Sequence, residues 1–228
     1  MDVLTPNYDV IARFFAAKLG PWYRPELQRF LAEDLSSSPP RCSILFTGSS
    51  SIRIWSTLSA DMAPTKVLNR GFGGSTIADI NAVFDRIVTP YWPEAIFFYA
   101  GENDLSTDRM SPQQVFADFR HFMALKSGRL GDVPVYFISI KPSTTRWNDL
   151  ALQQQTNRLI EQWATHRRDL HYVDVATPMI NNGKPRAIYR EDGVHMTGEG
   201  YHIWTTKLRP LVLREASRQR SNCDGAKR

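Results

Sequence analysis

Five short apolar runs, each followed by a stretch with helical periodicity, constrain this 228-residue chain more than any other feature. Ser43 to Thr47, Lys66 to Asn69, Ala95 to Ala100, Val133 to Ile140 and Leu170 to Val175 read as strands. Several are apolar at consecutive positions instead of alternating, as expected of a parallel sheet covered by helices on both faces. Between them, Val115, Phe116, Phe119, Phe122 and Met123 form one apolar stripe. It is entered through Ser111-Pro112-Gln113-Gln114, which supplies a hydroxyl N-cap, a proline at the first helical position and a capping-box glutamine. Leu152, Thr156, Leu159, Ile160 and Trp163 form a second stripe, and Tyr201, Trp204, Leu208 and Leu211 a third. Alternating strands and helices imply right-handed crossovers and an α/β fold with a parallel sheet. Sites in such sheets lie at the carboxyl ends of the strands, so the residues just after each strand matter most.

One composition break, Ser36-Ser37-Ser38-Pro39-Pro40, divides the chain. It suggests an N-terminal helical extension over 1–40 packed on the domain, a main domain over 41–213 and a basic tail over 214–228. The extension is rich in aromatic residues, with Phe14, Phe15, Trp22 and Phe30. The net charge of +5 invites a nucleic-acid reading, but the tail holds five basic and two acidic residues and leaves the body at only +2. A solvated tail is the simpler account, and no nucleic-acid partner is expected. The longest apolar runs fall far short of about 20 residues, so no membrane insertion is expected. The start of the chain has no basic region leading into an apolar core. Its two cysteines, Cys42 and Cys223, make neither a disulfide framework nor a zinc motif, and a reducing cytoplasm is the expected location.

The strand ends carry chemistry, each with a plainer alternative. Gly48-Ser49-Ser50-Ser51 follows the first strand. A serine in a glycine-led turn before a helix can expose its hydroxyl beside free backbone N–H groups, although Ser49 to Ser51 also read as helix caps. Gly71, Gly73 and Gly74 allow close approach of a ligand or simply make a tight turn. Gly101-Glu102-Asn103-Asp104 sets an amide donor at a strand end, or forms an Asx turn. Asp192-Gly193-Val194-His195 is the sharpest pair: the carboxylate can reach Nδ1 and leave Nε2 free as a base. No further ligand lies at metal spacing nearby, so no metal is expected. Asp174, at the end of the last strand, is the rival acid.

Jointly, and in this order, these blocks resemble the SGNH or GDSL-like hydrolase family over about Ser43 to Pro210. The nucleophile block is similar to Phe46-Thr47-Gly48-Ser49-Ser50-Ser51-Ile52, with Ser50 in the nucleophile position. The second resembles Asn69 to Thr76, where Gly74 offers its N–H; the third is Gly101-Glu102-Asn103-Asp104, and the last Asp192-Gly193-Val194-His195. Where the family usually has aspartate before the nucleophile, this chain has Ser49. The resemblance implies a three-layer α/β/α sandwich on a five-stranded, flavodoxin-like sheet of order 2-1-3-4-5. It implies an esterase with Ser50, His195 and Asp192 as triad, and an oxyanion hole from Ser50, Gly74 and Asn103. No cofactor is implied, and the partner is a small-molecule ester, with short acyl groups (acetyl on carbohydrate among them) expected because no long lid-forming insertion is apparent. Lysophospholipase or thioesterase activity on the same machinery, or a non-catalytic flavodoxin-like ligand binder, are the alternatives. Arg146 and Trp147, after the fourth strand, are candidate substrate-binding residues.

Overall fold

In this computed structural model the described residues are 24–37 and 42–218. The chain divides into two compact units, Met1–Ser38 and Pro39–Arg228, at the serine–proline break. In the first, helix α1 (Arg24–Ser36) buries Leu27 and Phe30, and Arg29 pairs with both Glu26 and Glu33 along its surface. The stretch holding Phe14, Phe15 and Trp22 lies outside the described residues.

The second unit is a five-stranded parallel sheet of β1 (Ile44–Gly48), β2 (Val67–Gly71), β3 (Ala95–Tyr99), β4 (Val135–Ile138) and β5 (Leu170–Val173), in the order β2-β1-β3-β4-β5. That is the order the resemblance implied, and the pairing is parallel because each crossover returns the chain to the sheet in the same direction. Short helices α2 (Ser50–Arg53), α3 (Leu58–Asp61), α4 (Ile77–Ala82), α5 (Phe84–Ile87) and α6 (Glu102–Ser106) follow the first three strands. Longer ones, α7 (Pro112–Leu130), α8 (Leu150–Ala164) and α9 (Gly198–Ser217), complete the layers. The capping box read at Ser111 and Gln114 is present at the start of α7.

Successive residues of β3 supply both cores. Phe97 stacks on Phe46 and Tyr136 on one face, and Tyr99 meets Trp204 of α9 there. Phe98 turns the other way, onto Phe119 and Phe122 of α7. Consecutive aromatics are therefore tolerated because neither face meets water. The α8 stripe differs from the expectation. Leu152 is exposed, while Gln153, Thr156, Asn157 and Ile160 are buried. Asn157 explains part of the shift: its amide donates to the Ile140 carbonyl and accepts from the Ile140 N–H, satisfying backbone beyond β4.

Two further readings are corrected. The tail does not begin at 214, since α9 continues through Ser217. Glu215 is fully buried and accepts from the Tyr136 hydroxyl at 2.7 Å, and Arg214 donates to that same hydroxyl. Cys42 is disulfide-bonded, with its partner outside the described residues, so cysteine usage no longer argues for a reducing compartment. Among the described residues no helix is long and apolar enough to cross a membrane.

Lys126 of α7 shows how charge is buried in this fold. Its side chain is fully covered, and Nζ donates to Asp169 at 2.6 Å and to the Gly131 carbonyl at 2.8 Å. Burial acts to raise the Asp169 pKa, but hydrogen bonds from Arg167 and Lys126 outweigh it and hold the carboxyl at about 2. Asp169→Asn leaves the buried ammonium without its counter-charge and should cost about 2–3 kcal/mol at neutral pH. A carboxyl with a lowered folded pKa stabilises above its unfolded value, near 3.9, and loses that stabilisation as pH falls through about 2. Thermal midpoints of wild type and variant should therefore differ by several degrees above about pH 4 and converge toward pH 2.

Candidate active site

The carboxyl edge of the sheet gathers the four sequence blocks. Gly48 ends β1 at a φ of 142°, and a Cβ there would overlap the Tyr99 carbonyl oxygen of β3. Glycine is thus required at the point where the chain leaves the sheet. Ser49 follows as N-cap of α2 with no side-chain cap hydrogen bond, and it is buried, as is Ser51. Ser50 is partly exposed, and its Oγ lies 2.8 Å from His195 Nε2. Of the three adjacent serines, the hydroxyl that meets the imidazole is therefore that of Ser50 and not a helix cap.

The imidazole is held from its other side. Asp192 Oδ2 stands 2.7 Å from Nδ1, while Oδ1 accepts from the N–H groups of Val194 and His195, each at 2.8 Å. A carboxylate can only accept, so Nδ1 carries the proton and Nε2 presents its lone pair to Ser50. Burial tends to raise the Asp192 pKa. The hydrogen bonds from His195 and Val194 prevail and lower it to about 2, so the carboxylate stays ionised across any working pH. Asp174, the rival acid, spends Oδ1 on the N–H groups of Ala176 and Thr177 and anchors the loop after β5.

The second and third blocks interlock. Phe72 N–H donates to the Gly48 carbonyl, and the Asn103 side-chain amide donates to the Ser75 carbonyl at 3.0 Å. Asp104 Oδ1 accepts from the Ile77 N–H at the start of α4, and burial raises its pKa to about 7. Gly74 lies in the exposed turn between them. Among the described residues neither the Ser50 nor the Gly74 N–H has an intramolecular acceptor. Arg146 donates to Asn103 Oδ1 at 3.0 Å and so stands beside the third block. Trp147 opens a short 3-10 turn, Trp147–Asp149, and stays partly exposed; no described hydrogen bond or ring contact joins it to Ser50 or His195.

Several residues that hold this arrangement were not assigned to the site from the sequence. Thr145 hydrogen-bonds the Asp192 and Gly193 carbonyls, Lys141 the Val194 carbonyl, and Tyr201 the Ser51 carbonyl. Lys141 had a visible signal, a lysine continuing the apolar run Ile138-Ser139-Ile140; Tyr201 showed only as part of an apolar stripe, and Thr145 had no signal. Among the described residues no group of three or more His, Cys, Asp or Glu side chains is placed to hold a metal ion.

A serine bonded to an imidazole–carboxylate pair, at the carboxyl edge of a parallel α/β sheet, is the framework of a serine hydrolase. Residues 40–203 match the GDSL-like Lipase/Acylhydrolase family, and the chain belongs to that family of ester-bond hydrolases. It is similar in fold to a GDSL-like lipase from Bacteroides thetaiotaomicron, at 21% identity over 82% of this chain and 97% of that one, with a TM-score of 0.70. A lipase/acylhydrolase from Enterococcus faecalis is 18% identical over 76% of this chain and 96% of that one, with a TM-score of 0.60. A catalytic mutant of an acetylxylan esterase from Geobacillus stearothermophilus is 18% identical over 80% and 99%, with a TM-score of 0.59. No curated protein matches the chain.

Gly193 limits how the base loop is built. Its φ is 66°, and a Cβ would overlap Thr145 Oγ1. Gly193→Ala should therefore displace the loop and lower kcat/KM on p-nitrophenyl acetate by about tenfold or more, with the thermal midpoint within a few degrees of wild type. Wild-type turnover in a folded variant would show that the loop spacing does not govern the rate.

Proposed function

We propose that this hydrolase is a serine esterase that removes short acyl groups, acetyl groups on carbohydrate among them, through an acyl-enzyme on Ser50. The observation that carries the reading is the continuous line from Ser50 Oγ to His195 Nε2 at 2.8 Å and from Nδ1 to Asp192 at 2.7 Å. Ser50 attacks the ester carbonyl while His195 takes its proton, and Asp192 stabilises the imidazolium that forms. The oxyanion is met by the Ser50 and Gly74 N–H groups and by the Asn103 amide proton not committed to Ser75. His195 returns its proton to the leaving alcohol, then activates the water that releases the acid from Ser50.

The preference for short acyl chains rests on the connections that leave the strands. α2 begins two residues beyond β1, and α6 starts three residues beyond β3. The long connection, between β5 and α9, holds a 3-10 turn and a small hairpin, β6 (Ile180–Asn181) with β7 (Lys184–Pro185), and no α-helix. It is longer than the sequence suggested, yet it carries no amphipathic helix of the kind that opens an apolar trough. Where that connection offers no such surface, each added methylene gains little of the ~0.8 kcal/mol of full burial. The acetylxylan esterase of similar fold supports an acetylated carbohydrate as the natural class. Arg146 and Trp147 remain candidate contacts for the alcohol portion.

Ser50→Ala should reduce ester hydrolysis to near background in a folded protein, and a fluorophosphonate probe should label the wild type at Ser50. Across p-nitrophenyl esters kcat/KM should peak at acetate or butyrate and drop by laurate; a maximum at ten carbons or more would overturn the short-acyl reading. Asn103→Ala should lower kcat about a hundredfold or more, on the order of 3 kcal/mol, with KM little changed, because the oxyanion exists only beyond the ground state. A change confined to KM would make Asn103 a substrate-binding residue.

A further inference from the structure

Lys141 is fully buried just beyond β4. Its ammonium donates to Glu102 Oε2 at 2.9 Å and to the Val194 carbonyl at 2.7 Å, and it lies 5.6 Å from the centre of the Tyr189 ring. Glu102 is buried too, and its Oε2 also accepts from the Tyr99 hydroxyl at 2.8 Å. The second oxygen, Oε1, lies 3.6 Å from the Arg146 guanidinium, which in turn donates to Asn103 Oδ1. Two buried charges are an expensive way to fill a core, since apolar side chains of similar volume are often as stabilising or more so. Stability alone therefore gives a weak reason for this pair.

Both ends of the network stop at reacting parts of the site. At one end Val194 precedes His195, so the lysine fixes the peptide that carries the base. At the other, Arg146 on Oδ1 and Ser75 on Nδ2 hold the Asn103 amide in one orientation and leave its second N–H free. A cation on the amide oxygen also polarises that N–H and makes it a stronger donor to developing negative charge.

We propose that Lys141 and Glu102 are positioning residues for the hydrolysis, a buried ion pair that keeps the loop of His195 and the amide of Asn103 in register with Ser50. The inference rests on the proposed roles of Ser50, His195 and Asn103 and adds the element that couples them. Burial lowers the Lys141 pKa and the nearby Glu102 opposes that shift, so the charged form depends on the pair remaining intact.

The test compares Lys141→Met, the double variant Glu102→Gln/Lys141→Met and Ser50→Ala, by kcat, KM and thermal midpoint on p-nitrophenyl acetate. Lys141→Met should lose about tenfold to a hundredfold in kcat with KM changed by less than about threefold. It should also lower the midpoint, because Glu102 is left as a buried charge without its ammonium partner. In the double variant no such charge remains, so the midpoint should recover while the kcat deficit persists. If Lys141→Met does not fold, the double variant decides the matter. A kcat within twofold of wild type in the folded double variant, a kcat that recovers along with the midpoint, or a deficit confined to KM would each overturn the inference. Activity persisting in Ser50→Ala would overturn the reading of the site itself, and the positioning role with it.

Discussion

At Gly48 the chain runs so close to β3 that a single methyl group would meet the Tyr99 carbonyl, and the rest of the site is built around that approach. The Ser49 N–H donates to Tyr99 O at 2.9 Å, while the Gly48 carbonyl receives the Phe72 N–H at 2.9 Å. One peptide junction thus ties the Ser50 turn to both neighbouring strands. Beyond it Tyr99 leads directly into Gly101-Glu102-Asn103-Asp104. The serine, the Gly74 turn and the Asn103 amide are spaced by sheet hydrogen bonds, which are far stiffer than loops settling independently.

The His195 imidazole is held differently. Asp192 and His195 sit in a half-exposed loop whose carboxylate accepts from two backbone N–H groups and from the imidazole. Those local bonds fix the tautomer without burying a charge, and they keep Asp192 ionised despite the tendency of burial to neutralise it. Asp174 has the same chemistry and a comparable place after a strand, but its oxygen is consumed by the turn it caps. What separates the two acids is which backbone N–H groups each one faces, and where the nearest imidazole lies.

Much of this was legible in the sequence for physical reasons. Strands covered on both faces must be apolar at consecutive positions, so Ile44 to Phe46 and Ala95 to Tyr99 announced themselves. The capping box at Ser111 is local chemistry and needs no tertiary context. Asp192 and His195 were legible because their partnership spans three residues. The α8 face was not: Gln153 and Asn157 are buried where periodicity would place apolar groups, and Asn157 is there to serve the backbone of Ile140, seventeen residues away. The pairing of Lys141 with Glu102 was opaque for the same reason. Lys141 continues an apolar run, but the ion pair is set by two segments 39 residues apart, and neither segment alone names the partner. The end of α9 misled in the opposite sense. Arg214 and Glu215 belong to a charge-rich run, yet Tyr136 on β4 gives both a packed partner.

The β5–α9 connection raises a mechanical question, because it carries Asp192 and His195 while having little regular structure of its own. Its strand pairing is limited to β6 with β7 and to the bridge between Tyr189 and Met196. Backbone hydrogen bonds from the Arg190 N–H to the His195 carbonyl and from the Thr197 N–H to the Ile188 carbonyl tie it further. The segment after β4 supplies the remaining restraint: Lys141 and Thr145 hydrogen-bond the carbonyls of Asp192, Gly193 and Val194, and Pro142 receives the Tyr189 hydroxyl. His195 is therefore held both by its own connection and by the segment that follows β4. β4 pairs directly with β3, which leads into Asn103, so the segments that hold His195 and Asn103 leave neighbouring strands.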